Sequence, residues 1–214
     1  MQYIDFKDKV AVQPFFKSAD LEVFEPDVQV FRNRLLRWEK QGLILKLRKG
    51  FYMLNKANRK IEPSRTFIAN QLYVPSYVSL EYALNFYGFI PERVMEVTSI
   101  TSKKTQHFST PLGVFAYQHI KLACFRGFKA VKDENGSSYF IAEPEKALVD
   151  FIYLNLNKFN NAGPDIFEES YRLQNVKQLS CEKVHAFSRM FKNRRLAKAS
   201  LLLCDFIKEE KHRD

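Results

Sequence analysis

Residues 26–54 read PDVQVFRNRLLRWEKQGLILKLRKGFYML, and the spacing within this stretch decides the fold of the first part of the chain. Val28, Phe31, Leu35 and Trp38 recur at intervals of three, four and three, the repeat of one helical face. Pro26 suits the first turn of that helix, where a backbone N–H has no partner to lose, and Gly42 suits its stop, where the chain turns left-handed. Beyond the glycine, Leu43–Leu47 and Phe51–Leu54 predict two strands joined by Arg48, Lys49 and Gly50, a basic hairpin with a turn glycine.

Working outward, Tyr3, Ile4, Phe6 and Val10 predict a first helix that must end before Pro14. Ser18 stands as an N-cap for a short second helix running to about Phe24. Helix, short helix, longer helix, hairpin is the order of a winged helix-turn-helix over residues 1–60. The polar run Asn55–Glu62, followed by Pro63 and Ser64, marks a domain boundary. In the second domain, residues 61–214, helices are expected over Pro63–Leu72, Ser79–Tyr87 and Glu143–Leu156. Ser79 caps the second of these, Gly88 closes it, and Pro144 opens the third. Strands are expected over Val94–Thr101, Gln106–Ser109, Val114–His119 and Tyr139–Ile141. Two or three more helices follow the Asn160–Pro164 loop. The fold class expected is therefore α+β: an N-terminal winged helix-turn-helix, then an α+β domain with an antiparallel sheet and C-terminal helices.

Forty-six per cent of the 214 residues are hydrophobic, enough for packed cores. Apolar runs such as Leu201–Leu203 fall far short of the ~20 residues that cross a bilayer. No charged segment followed by an apolar one opens the chain, so a cytoplasmic protein without a membrane partner is expected. Cys124, Cys181 and Cys204 are scattered and lack metal-ligand spacing, which suits a reducing compartment and a role as small apolar filler. The net charge of +10 is unevenly placed. Residues 31–60 carry ten Lys or Arg against Glu39 alone, whereas residues 61–150 are balanced at nine against nine. Charge gathered on one short segment is the footprint of a phosphate-binding surface, since charge serving only solubility would be spread.

On a helical wheel the apolar set from Val28 to Trp38 centres near ~320°, so the opposite face lies near ~140°. Gln29, Asn33, Arg37 and Lys40 fall there, with Arg32 on the flank. Gln and Asn grip adenine bidentately and Arg grips guanine, so this face has the chemistry of base readout. An ordinary solvated face is the alternative; the local charge, the preceding short helix and the basic hairpin favour DNA. Arg48 and Lys49, at a tip where no packing demands them, are placed to reach phosphate or the minor groove. A second basic cluster, Arg189, Lys192, Arg194, Arg195 and Lys198, reads either as a second phosphate contact or as a solvated helix face.

Enzyme readings are weaker. His107, His119, His185 and His212 lie far apart with no ligand spacing, and no glycine-rich phosphate loop occurs, so neither a metal nor a cofactor is expected. Pro164–Asp165 with Glu209, Glu210 and Lys211 has the flavour of a metal-dependent nuclease, but a charged helix end is the plainer reading. A protein-interaction module is the other alternative.

The second domain carries a longer pattern: Tyr77–Glu92 (YVSLEYALNFYGFIPE), Val97–Thr101 (VTSIT), Phe108–Gly113 (FSTPLG) and Ala142–Asp150 (AEPEKALVD). In order and spacing these resemble the AbiE-type antitoxin family of type IV toxin-antitoxin systems, linked to abortive infection and phage defence. The resemblance spans most of the chain, since that family also begins with a winged helix-turn-helix. It implies a repressor that binds its own operator, with a nucleotidyltransferase-like toxin as genetic partner. The same residues have plain structural readings as caps and turns, and none is assigned a chemical role.

Overall fold

The aromatic residues of the first sixty positions find one another. In the computed structural model, which describes residues 2–21, 27–159, 163 and 165–213, helix α1 (Tyr3–Val10) lays Phe6 and Val10 against helix α2 (Val28–Lys40). Phe31, Leu35 and Trp38 of α2 are all buried, as the three-four-three spacing requires. Phe6 stacks on Trp38 at 4.8 Å between ring centroids and meets Phe16 edge-on at 5.1 Å. Between the helices run strand β1 (Phe16–Lys17) and a 3₁₀ turn, Ser18–Leu21. The turn stands where a second helix was expected to start. Its expected end at Phe24 and the helix-starting Pro26 lie outside the described residues, as do Asn160, Asn161, Ala162 and Pro164 of the later loop.

Asp27 caps α2, its Oδ1 accepting from the backbone N–H of Gln29 at 2.9 Å and of Val30 at 3.0 Å. At the other end Gly42, with φ +69°, makes a paired stop: its N–H donates to Glu39 O and that of Leu43 to Trp38 O. The chain then enters β2 (Ile44–Arg48) and β3 (Phe51–Leu54), which join β1 in an antiparallel sheet ordered β1-β3-β2. All four residues of β3 are buried because both faces of the hairpin are covered. Tyr52 and Leu54, with Ile44, belong to the first aromatic core; Phe51 and Met53, with Leu47, belong to the larger core of the rest of the chain. The segment Asn55–Ser64 is tied on both sides. Lys60 N–H donates to Ala11 O, Asn135 Nδ2 to Glu62 O, and Ser64 Oγ to Asp133.

The remainder is a mixed α+β body around a six-stranded sheet ordered β6-β7-β5-β4-β9-β8. Its elements are α3 (Arg65–Leu72), β4 (Ser76–Val78), α4 (Leu80–Phe86), β5 (Val97–Thr101), β6 (Gln106–Thr110), β7 (Gly113–His119), β8 (Phe128–Lys132) and β9 (Ser138–Ala142). Helices α5 (Pro144–Leu154), α6 (Leu156–Phe159), α7 (Cys181–Met190) and α8 (Arg194–His212) complete it. The expected antiparallel sheet needs correction: β6–β7 and β8–β9 are antiparallel hairpins, but β5–β7 and β4–β9 pair in parallel. Turn signals disclose hairpins between consecutive strands, whereas these two pairings join strands separated by crossovers. Pro144 does open α5, whose Ala147, Leu148, Val149 and Ile152 are buried against α4, α7 and α8. No described helix is long and apolar enough to cross a membrane.

Candidate nucleic-acid interface

Because the buried side of α2 is fixed by Phe31, Leu35 and Trp38, its other side is fixed too. Gln29, Arg32, Asn33, Arg37 and Lys40 are all exposed on it. The amide of Gln29 donates to Asn33 Oδ1 at 3.5 Å, so two adenine-matching side chains stand side by side one turn apart. Among the described residues no ion pair holds Arg32, Arg37 or Lys40, leaving these cations to solvent. Underneath, the Phe6–Trp38 stack holds α2 to α1, and the Tyr3 hydroxyl of α1 donates to Leu43 O just before β2. The face is thus mounted on a rigid aromatic base. Sequence reading overlooked one member of it: Leu36 is 50% exposed in the middle of the polar side chains, whereas the adjacent Leu35 is 2% exposed.

The hairpin tip divides its two cations. Lys49 is exposed beside Gly50, whose carbonyl accepts from Ser18 N–H at 3.1 Å. Arg48 differs from the expectation that no packing demands it. Its guanidinium lies over the Phe51 ring, 5.4 Å from the centroid, and its buried Nε has no hydrogen-bond partner. Strand β2 lies against β6 of the second sheet, and Arg48 is half-buried, whereas Lys49 beside it is exposed.

Arg189, Lys192, Arg194, Arg195 and Lys198 gather at the corner between α7 and α8, all exposed, while the interleaved Phe187, Phe191 and Leu196 are buried. Asn193 caps α8, accepting from Leu196 N–H at 3.1 Å. Arg194 and Arg195 therefore occupy the first turn of a long helix, its partially positive end, where cations are disfavoured by roughly 0.3–1 kcal/mol each. Nothing in the folding of α8 calls for them there. Asp165, Glu209, Glu210 and Lys211 form no metal cage; Glu210 pairs with Arg213, and Lys211 donates to Leu179 O. Among the described residues no group of three or more His, Cys, Asp or Glu is arranged to hold a metal ion.

Four residues of the family-like stretches meet at the centre of the second body. Tyr77 Oη donates to Asp150 Oδ2 at 2.9 Å and Ser79 Oγ donates to the same oxygen at 3.0 Å. Lys146 Nζ donates to Tyr77 Oη at 2.9 Å and pairs with Asp150 Oδ1, one helical turn away on α5. Ser79 was expected to cap α4; its hydroxyl makes no cap bond and is turned to Asp150 instead. Burial pushes the Asp150 carboxyl above its ordinary range against the pull of Lys146, and burial together with Asp150 holds the Tyr77 hydroxyl well above its own. All four side chains are sealed from solvent, so the network braces β4 against α5 and offers no surface to a substrate. No protein-family model and no curated protein matches this chain, and the resemblance to AbiE-type antitoxins rests on the quoted residues alone.

Proposed function

We propose that residues 1–60 form a winged helix-turn-helix, that α2 enters the major groove of duplex DNA, and that the chain is a sequence-specific transcriptional regulator. The observation that carries this reading is the exposed α2 face: Gln29, Asn33, Arg37 and Lys40 stand unburied above a fixed aromatic base, in the one segment that holds nearly the whole charge excess. The order α1, β1, 3₁₀ turn, α2, β2, β3 supports it, because a reading helix followed by a hairpin is how such modules reach one groove and its flanking backbone. Lys49 serves as the hairpin's phosphate contact, and Arg48 contributes mainly through packing. The reading needs only the α2 face and Lys49; the cluster between α7 and α8 stays outside it. The resemblance to AbiE-type antitoxins extends the proposal to autoregulation of a toxin-antitoxin operon, with duplex DNA as the direct partner and a nucleotidyltransferase-like toxin as the genetic one.

Titration of fluorescent duplexes, including the DNA upstream of the gene, with the full chain in EDTA tests this. Binding that survives chelation and exceeds that of a scrambled duplex is expected. Equal affinity for every duplex, or loss of binding with chelation, overturns it.

A further inference from the structure

Leu36 sets a problem that the polar residues around it do not. In α2 the residues 29, 33, 36 and 40 recur at intervals of four, three and four, which places Gln29, Asn33, Leu36 and Lys40 in one stripe within about 60° of arc. Three members are polar, as a solvated face requires. The fourth is a leucine, half exposed, although the adjacent Leu35 is buried. Leucine gives up apolar contact by standing in water, and a stripe serving solubility alone would carry Lys, Glu or Gln there.

Resting on the DNA-binding reading, we infer that Leu36 is a specificity residue that packs on the 5-methyl group of thymine, and that the centre of the recognised site is A·T. The methyl is the one apolar feature of the major groove, and it lies on the partner of the adenine that Asn or Gln grips. Along the helix axis Leu36 stands about 4.5 Å from Asn33, which compares with ~3.4 Å between successive base pairs. Asn33 on adenine and Leu36 on the methyl of a neighbouring pair are therefore compatible with one docking pose. A G·C pair at the Leu36 position would instead set the cytosine amino group against a leucine, which cannot accept its hydrogen bond. Gln29, Asn33 and Leu36 then form one A·T-reading set, with Arg32 and Arg37 on its flanks.

Removal of the methyl alone tests the inference. The full chain is used to select duplexes from a pool with a randomised core, and the selected duplex is resynthesised with deoxyuridine replacing single thymines. At one or two central positions the replacement is expected to weaken wild-type binding about fourfold, the worth of one buried methyl. For Leu36→Ala the same replacement is expected to change nothing, because the contact is already gone. Deoxyuridine that is neutral at every position, or equally harmful to both proteins, overturns the inference while leaving DNA binding intact. A pool that yields no consensus overturns the reading beneath it. Sedimentation of both proteins supplies the remaining outcome: if Leu36→Ala dissociates a dimer and leaves the deoxyuridine effect unchanged, Leu36 joins copies of the chain and does not read bases.

Discussion

Replacing Asp150 by alanine is the sharpest perturbation of the fold that carries the candidate interface. The carboxylate is fully buried and accepts three hydrogen bonds, from Tyr77, Ser79 and Lys146. Without it the Lys146 ammonium, itself fully buried, keeps only Tyr77 Oη and the faces of the Phe191 and Tyr77 rings, 5.1 and 5.5 Å from their centroids. Removing one partner of such a pair costs about 3–5 kcal/mol, because the other charge stays buried without compensation. That is at least about a fifth of the ~5–15 kcal/mol that separates folded from unfolded domains. Lys146→Met with Asp150→Leu removes both charges together, so its cost is expected to fall below that of Asp150→Ala, what remains arising from the Tyr77 and Ser79 hydroxyls that lose their acceptor. Urea unfolding of the single and double variants at neutral pH measures the difference, and an unchanged m value shows that the same surface is exposed. A loss under ~1 kcal/mol for Asp150→Ala, or a double variant worse than the single, would refute the placement of this pair in a dry core.

Three further outcomes follow from the same packing. Burial, aided by Cys181, pushes the Cys204 thiol up to about 12 from its ordinary 9.0. The folded state then keeps a proton that the unfolded state releases, so stability is expected to fall as pH rises from 9 towards 12; Cys204→Ala is expected to make that fall shallower in urea curves, leaving the share of buried tyrosines such as Tyr77, whose hydroxyls burial also holds up. A methyl at Gly127 would lie 2.5 Å from Phe187 Cε1 at a φ of +77°, whereas at Gly136, φ +78°, it meets open space. Gly127→Ala is expected to cost about 2–4 kcal/mol and Gly136→Ala about 1 kcal/mol in the same assay. Finally, a fragment of residues 1–60 lays bare Leu47, Phe51 and Met53, which the larger core covers in the whole chain. It is expected to bind an apolar dye and to fold monomerically only when Phe51 and Met53 are made polar; a well-folded, dye-silent native fragment would show that the aromatic core suffices alone.

What could be read from the residues divides along the range of the interactions. Helix α2 and its stop were legible because Phe31, Leu35, Trp38 and Gly42 act within one helix and its exit. Strand β1 was not, since two residues carry no period and Phe16 and Lys17 become a strand only opposite Tyr52 and Phe51. Strand β8 was hidden by Lys129 and Lys132, which suit the edge of a sheet but do not advertise a strand. Ser79 had every local mark of a cap, yet its partner is Asp150, 71 residues away. In the candidate interface, the helical wheel placed Gln29, Asn33 and Arg37 on the open face from spacing alone. It could not separate Arg48 from Lys49, because the half-burial of Arg48 over the Phe51 ring is set by tertiary packing, and it passed over Leu36, since an apolar residue in a helix is read first as core.

The central claim, that α2 reads bases while Lys49 holds phosphate, is tested most directly by titrating cognate and scrambled duplexes at several salt concentrations with wild-type chain, Arg37→Ala and Lys49→Ala. Arg37→Ala is predicted to lose ~1–3 kcal/mol on the cognate duplex and to narrow the cognate-to-scrambled ratio. Lys49→Ala is predicted to weaken both duplexes alike and to reduce the slope of log affinity against log salt by about one. A cognate-to-scrambled ratio left unchanged by Arg37→Ala would contradict the account.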